Sequence, residues 1–450
     1  MKKLALHWKI LIGMAIGIIL GFLAVVMDNK FGWGNNGAYS AKAFIVDYVK
    51  PFGRIFINGL KLIAVPLIVA SLVKAISDMQ DISKLSKLGG RTIVTYLFTT
   101  VIAVLIGMVL VNLIKPGEFI PVEIRESLSL QYQEAAQSKI DVALTQKESG
   151  PLQALEDLIP SNIFEAASNN RNMLQVIFFS ILFGIGIILT KPEKSKTIKG
   201  FFDGLNEVVL KIIDIIMLYA PFGVFALLAT LVAENPDPGI FEGLGMYALT
   251  LLAGLFLMAG IVYPSLVYLF TGKGPSFFFK GISPAQLVAF STSSSAATLP
   301  VTMERVEEHL GVEKEASSFI LPIGATVNMD GTSCYQAVAA IFIAQAFDID
   351  LTIGAQLGII LTATLASIGA AAVPSAGIIM LVIVLGQAGI PEAGIALIFA
   401  VDRPLDMCRT VVNVTGDAAV SMIVANSTGQ LGEPKVKDWN DHYEEKEENV

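Results

Sequence analysis

Cysteine and histidine are nearly absent from this 450-residue chain, with two of the first and three of the second. Cys334 and Cys408 both lie in apolar stretches, which excludes a disulfide framework and a thiolate metal cluster as organising elements. His7, His309 and His442 sit in polar flanks or near the end of the chain and read as solvated surface residues rather than catalytic ones. Charge is also sparse, at 16% of residues, and its balance of −8 argues against a nucleic-acid partner. The run Glu444, Glu445, Glu447 and Glu448 reads as a solvated acidic tail.

Apolar sequence fills the space that charge leaves. Hydrophobic residues make up 54% of the chain, more than a soluble core requires, and they recur in long runs. Runs at 10–27, 44–77, 92–114, 172–190, 205–232 and 243–270 are each long enough to cross a bilayer with some tilt. Lys2, Lys3 and Lys9 precede the first run, which is too long for a signal peptide and lacks a small-residue cleavage site, so it reads as a retained helix. The basic start, the 78–91 loop with Lys84, Lys87 and Arg91, and a 191–199 loop with Lys191, Lys194, Lys196 and Lys199 belong on the cytoplasmic side. The 116–160 segment, with only Arg125, Lys139 and Lys147 as basic residues, falls outside.

Beyond residue 275 the apolar stretches are interrupted by small residues, and two interruptions match. Ser293-Ser-Ser-Ala-Ala-Thr-Leu-Pro300 and Ser367-Ile-Gly-Ala-Ala-Ala-Val-Pro374 share the pattern S-x-x-A-A-x-[L/V]-P. Flanks too short to cross twice make these two re-entrant helical hairpins, at 276–309 and 353–390, with non-helical tips that need protein or water around them. Repeated broken segments in corresponding places point to a midplane site between inverted repeats. The first hairpin enters from the cytoplasm and the second from outside, after 316–346 has crossed outward. Small-residue pairs serving only helix packing are the simpler alternative for either one.

Polar residues converge on the same depth. Asp402, Asp406, Arg409, Asn413 and Asp417 occupy about an 80° sector of one helix, although Gly394–Val401 and Ala418–Ala425 are apolar. A charge at bilayer centre costs roughly 2.5–3.5 kcal/mol on insertion scales, so the stripe faces a polar cavity, an ion or a ligand. Asn328-Met-Asp-Gly-Thr332 interrupts another apolar run. Gly331 weakens helix continuity there, and freed carbonyls with Asp330 and Asn328 offer hard oxygen ligands to a small cation, joined by Asn413 and Asp417. The planar fork of Arg409 suits a carboxylate and Asp406 suits an ammonium, so with Thr410 or Asn413 they could address an acidic amino acid. An internal Asp406–Arg409 ion pair is the alternative, and it leaves Asp402 and Asp417 unexplained. An aspartyl protease using two of Asp330, Asp402, Asp406 and Asp417 would need carboxylates sharing a proton, which a neighbouring arginine opposes, and the Gly-x-Gly-Asp signature is absent.

Together, both hairpin motifs, Asn328–Thr332 and the run Asp406–Asp417 resemble the glutamate transporter family, the dicarboxylate/amino acid:cation symporters. That resemblance implies an all-α integral membrane protein with eight transmembrane helices, two re-entrant hairpins and inverted repeats, assembled as a homotrimer in the plasma membrane with both termini cytoplasmic. It implies a scaffold of 1–77 and 116–235, and a transport domain of 78–115 and 236–428 that moves like an elevator, followed by a tail at 429–450. The cargo would be aspartate or glutamate with sodium ions, carried rather than chemically altered. Substrate contacts are expected at Ser294, Ser295, Met329, Thr332, Val373, Gly377, Asp406, Arg409, Thr410 and Asn413. Sodium is expected at Asn328, Asn413 and Asp417, at Tyr96, Thr99, Thr100, Asn328 and Asp330, and at Thr326, Ser367 and Ile368.

Residue identities narrow the cargo within the resemblance. Carriers of neutral amino acids lack the arginine matching Arg409, and dicarboxylate carriers differ at the positions of Asp406 and Asp417. Gln336 stands where the proton- and potassium-coupled animal carriers have glutamate, which removes a titrating group. Archaeal members have arginine at the position of Ser293 and animal members at that of Met407. This chain has neither, but carries Arg403 one turn before Met407, next to Pro404.

Overall fold

The chain folds into helices because its apolar runs are long and their few polar breaks are short. The structure, a computed structural model, describes residues 6–31, 40–77, 88–131, 159–168, 172–234, 239–368 and 376–435. Among these, the one departure from helix and turn is an isolated antiparallel bridge between Val312 and Leu431. Lys84, Lys87, most of the 116–160 segment, His442 and the acidic tail lie outside the described residues.

Among the helices before residue 235 are α1 (Leu6–Phe31), α2 (Lys50–Ser77), α3 (Leu88–Ile114), α4 (Met173–Leu189) and α5 (Pro192–Glu234). Helices α1, α2 and α4 form one bundle with α5. Gly13, Gly17 and Gly21 place a flat edge of α1 on α5, and a Cβ on Gly17 would stand 2.5 Å from the Phe225 carbonyl oxygen. Helix α5 bends by 45° near residue 217, four before Pro221, whose ring cannot donate to that carbonyl.

The α-helices from residue 239 onward are α6 (Gly239–Leu257), α7 (Tyr263–Thr271), α8 (Pro275–Thr292), α9 (Ser295–Glu304), α10 (Lys314–Val327), α11 (Asp330–Ala346), α12 (Ile353–Ile368), α13 (Ala376–Ala388) and α14 (Ile395–Thr428). Helix α14 packs against α3, α6, α7, α8, α10 and α11. Helices α8 and α9 pack side by side, joined through Ser293 at φ 52, a left-handed residue that reverses the chain. Arg305, just after α9, donates its Nε to the Gly281 carbonyl of α8 at 2.7 Å and so ties the two arms at their base. Helices α12 and α13 likewise pack together, and residues 369–375 between them lie outside the described residues.

Among the described residues, three helical stretches, Ala41–Lys74, Leu88–Phe119 and Gly239–Thr271, are long and apolar enough to cross a membrane, α5 makes a fourth if its bend lies within one span, and the apolar helices Ile12–Asp28 and Gln175–Leu189 are shorter than the sequence runs suggest. Several sequence expectations need correction. Residues 192–199 form the first turns of α5 rather than a loop, because Pro192 suits a helix start and Glu193, Lys194 and Lys196 are good helix formers. The break in the 316–346 run falls at Asn328 and Met329, and Gly331 lies inside α11. Side chains from α14 hold that break open. His309 is buried at 4% exposure rather than solvated, with its Nε2 at 2.6 Å from Arg305 Nη1. Both cysteines are free.

Candidate functional site

All five residues of the α14 stripe are buried, at 7% exposure or less. The stripe divides into two halves with different partners.

In the first half, Arg409 Nη2 donates to Asp406 Oδ1 at 2.6 Å, and Nη1 stands 3.1 Å from Asp402 Oδ1 as an ion pair without hydrogen-bond alignment. Arg403 Nη1 donates to the other oxygen of Asp406 at 3.2 Å. The guanidinium lies over the Tyr335 ring, with Cζ 3.8 Å from the centroid, which fixes its plane. Thus the internal Asp406–Arg409 pair forms, and Asp402, unexplained from sequence, is a second partner of Arg409. Two carboxylates and two guanidinium groups balance. Nε and Nη1 of Arg409 remain without hydrogen bonds inside the protein. A Cβ on Gly377 of α13 would stand 3.2 Å from Thr332 and 3.5 Å from the Arg409 guanidinium, so α13 approaches both closely there.

In the second half, Asn413 Oδ1 accepts the Gly331 N–H at 2.8 Å and its Nδ2 donates to Met329 Sδ at 3.2 Å. The first of these bonds satisfies the Gly331 N–H, one of the first N–H groups of α11, from outside the helix. Asn328 Nδ2 donates to Asp417 Oδ1 at 2.9 Å, while Asn328 Oδ1 has no partner. Asp330 accepts from Thr100 at 2.6 Å and from Tyr263 at 2.7 Å. Thr99 and Thr100 also reach the Tyr96 carbonyl, at 3.0 and 2.8 Å. A side chain on Gly324 would collide with the Tyr96 hydroxyl and with Asp417 Oδ1, so α3, α10 and α14 meet there. Among the described residues, no lysine, arginine or histidine pairs with Asp330 or Asp417.

The structure therefore gathers Asn328, Asn413 and Asp417, and separately Tyr96, Thr99, Thr100 and Asp330. It also brings together Thr332, Gly377, Asp406 and Arg409, with Met329 touching Asn413. Ser294 caps α9 by accepting the Ala297 N–H, Ser295 is buried beside it, and Thr410 donates to the Asp406 carbonyl. Thr326 and Ser367 lie on α10 and α12, which touch, but each hydroxyl bonds to its own helix. Val373 and the Ile368 side chain lie outside what the structure describes. Sequence reasoning missed Tyr263 and Tyr335. Each is a tyrosine within an apolar helix, where a buried hydroxyl or ring needs a polar or cationic neighbour, and that signal names no partner.

The sodium:dicarboxylate symporter family matches residues 6–427 of the chain. This chain belongs to that family. Among its relatives is a proton/sodium-glutamate symport protein of Geobacillus stearothermophilus, 34% identical over 98% of both chains. Excitatory amino acid transporter 3 of Homo sapiens is 38% identical over 83% of this chain and 78% of its own. Excitatory amino acid transporter 1 of Ambystoma tigrinum is 36% identical over 90% of this chain and 82% of its own. The sodium:dicarboxylate symporter assignment gives the buried polar stripe of a largely apolar chain a reason to exist.

Proposed function

We propose that this protein is a sodium-coupled symporter of acidic amino acids, aspartate or glutamate. The observation that carries the reading is the pair Asp330 and Asp417, buried carboxylates held by hydroxyl and amide donors with no cationic side chain at either. A buried charge without a counter-ion is costly, and a small hard cation on these oxygens removes that cost. Sodium is then held by Asn328, Asn413 and Asp417 and by Asp330 with Thr99, Thr100 and the Tyr96 carbonyl. The group Thr326, Ser367 and Ile368 is the third place.

The substrate's side-chain carboxylate takes the unused donors of Arg409 and its ammonium takes Asp406, so cargo exchanges for part of the internal ion pair. Thr332, Thr410, Asn413, Met329 and the hairpin residues Ser294, Ser295, Val373 and Gly377 complete the enclosure. Cations bound first draw the second hairpin over the substrate, and a half-loaded site keeps unpaired charge that opposes crossing. The α1, α2, α4 and α5 bundle serves as scaffold, and the helices around α14 move against it as an elevator. Three copies assemble in the plasma membrane with both termini in the cytoplasm. Gln336 has no titrating group, which argues against proton or potassium coupling through that position.

Uptake of radiolabelled aspartate into liposomes containing the purified protein tests this. An inward sodium gradient should drive uptake, and a proton or potassium gradient alone should not. Aspartate should compete where succinate and serine compete weakly. No uptake under any cation gradient would contradict the proposal.

A further inference from the structure

Where α2 and α5 meet the start of α14 lies a cavity of about 230 Å³. Its polar wall is unevenly partnered. Lys50 pairs with Glu234 at 2.6 Å and Lys61 pairs with Glu392. Arg54, one turn beyond Lys50 on α2, lines the same cavity with no ion-pair or hydrogen-bond partner among the described residues. Asn58, a further turn along and also on this wall, is without one as well. A guanidinium and an amide four residues apart on one helix face present a set of unused donors to whatever enters.

The facing wall is different in kind. Leu231 of α5 and Leu397 of α14 are buried apolar residues at the cavity, and Thr230 spends its hydroxyl on the Ala226 carbonyl. The outer side of the chain beside Arg54 is apolar too, with Tyr48, Phe52 and Ile55 each more than half exposed and Phe44 stacked on Tyr48 at 5.1 Å. Exposed aromatics next to cations mark the level of lipid headgroups. The cavity thus joins a free cationic edge to an apolar wall at that level.

We propose that this cavity is a binding site for an anionic phospholipid, with the phosphate on Arg54 and Asn58 and an acyl chain along Leu231 and Leu397. A free inorganic anion would meet the same donors but would gain nothing from the apolar wall. Because the lining combines residues of α2 and α5 with residues of α14, a lipid seated there contacts both bundles and favours the arrangement in which they lie together. The inference does not depend on which cargo is carried.

The test is native mass spectrometry of the full-length protein in detergent, titrated with phosphatidylglycerol, with phosphatidylcholine of the same acyl chains, and with inorganic phosphate. Phosphatidylglycerol should bind in preference to phosphatidylcholine, and Arg54→Gln should weaken it about 5-fold, the effect of one basic group at an anionic surface. Ala396→Leu, which fills the cavity and keeps its charges, should weaken it as well. Lys211→Gln, an exposed cation elsewhere on α5, should leave it unchanged. Unchanged phosphatidylglycerol binding in both Arg54→Gln and Ala396→Leu would overturn the site. Arg54-dependent binding of inorganic phosphate without preference for phosphatidylglycerol would also overturn it, by making the cavity a free-anion site.

Discussion

The two halves of the α14 stripe treat buried charge in opposite ways. Between residues 402 and 409, Asp402 and Asp406 face Arg403 and Arg409, so the half is neutral by itself. Four residues further on, Asn413 and Asp417 meet the Asn328 amide and the Gly331 N–H, donors that carry no charge. One helix therefore holds a self-balanced segment that can exchange partners and a segment that requires charge from outside. The first suits a zwitterionic guest with an extra carboxylate, and the second suits cations. In the proposed reading coupling follows from their adjacency, since both halves border the Asn328–Thr332 break.

The comparison breaks most severely in the second half. Asp417→Asn removes the need for an external cation and should reduce sodium-driven uptake roughly 100-fold or more, as expected when a buried charged partner is deleted. Uptake against sodium concentration checks this, and a sodium dependence like that of the unaltered protein would erase the distinction between the halves. Arg409→Cys strikes the first half instead. It leaves Asp402 and Asp406 short of a cation and should cut aspartate uptake by about 30-fold or more, with gain of a neutral amino acid such as serine. Competition assays would reveal it.

Smaller changes sharpen the contrast. Tyr263→Phe deletes one donor to Asp330 and should weaken sodium binding about 10-fold, measured by the sodium concentration for half-maximal uptake, with substrate affinity at saturating sodium little altered. Arg403→Ala removes the more exposed of the two arginines and should change the rate of substrate release by a few-fold, because an ion pair at the edge of a site is weak. Stopped-flow release of bound aspartate reads that rate. An unchanged rate would remove Arg403 from the account.

How much of this the sequence disclosed depends on periodicity. The α14 stripe was legible because five polar residues kept one face of a helix through apolar flanks, and the turn between α8 and α9 because small residues break the apolar run at Ser293. What periodicity cannot supply is partnership across helices. Tyr263 reaches Asp330 from 67 residues away, and no spacing rule connects them. The break at Asn328 follows from the Asn413 side chain rather than from Gly331, the residue with the weaker helix preference. His309 looked solvated because its neighbours are charged, yet the buried Arg305 side chain draws it inward. The basic stretch after Lys191 suggested a loop by charge alone, although its residues favour helix.

The most direct test of the central claim is sodium binding without substrate. The melting temperature of the purified protein is followed as sodium chloride is raised at constant ionic strength, for the unaltered protein and for the Asp330→Asn, Asp417→Asn double variant. The unaltered protein should be stabilised by sodium and not by potassium, and the double variant should respond to neither. A double variant that sodium stabilises as strongly as the unaltered protein would show that these two carboxylates are not where the cations sit.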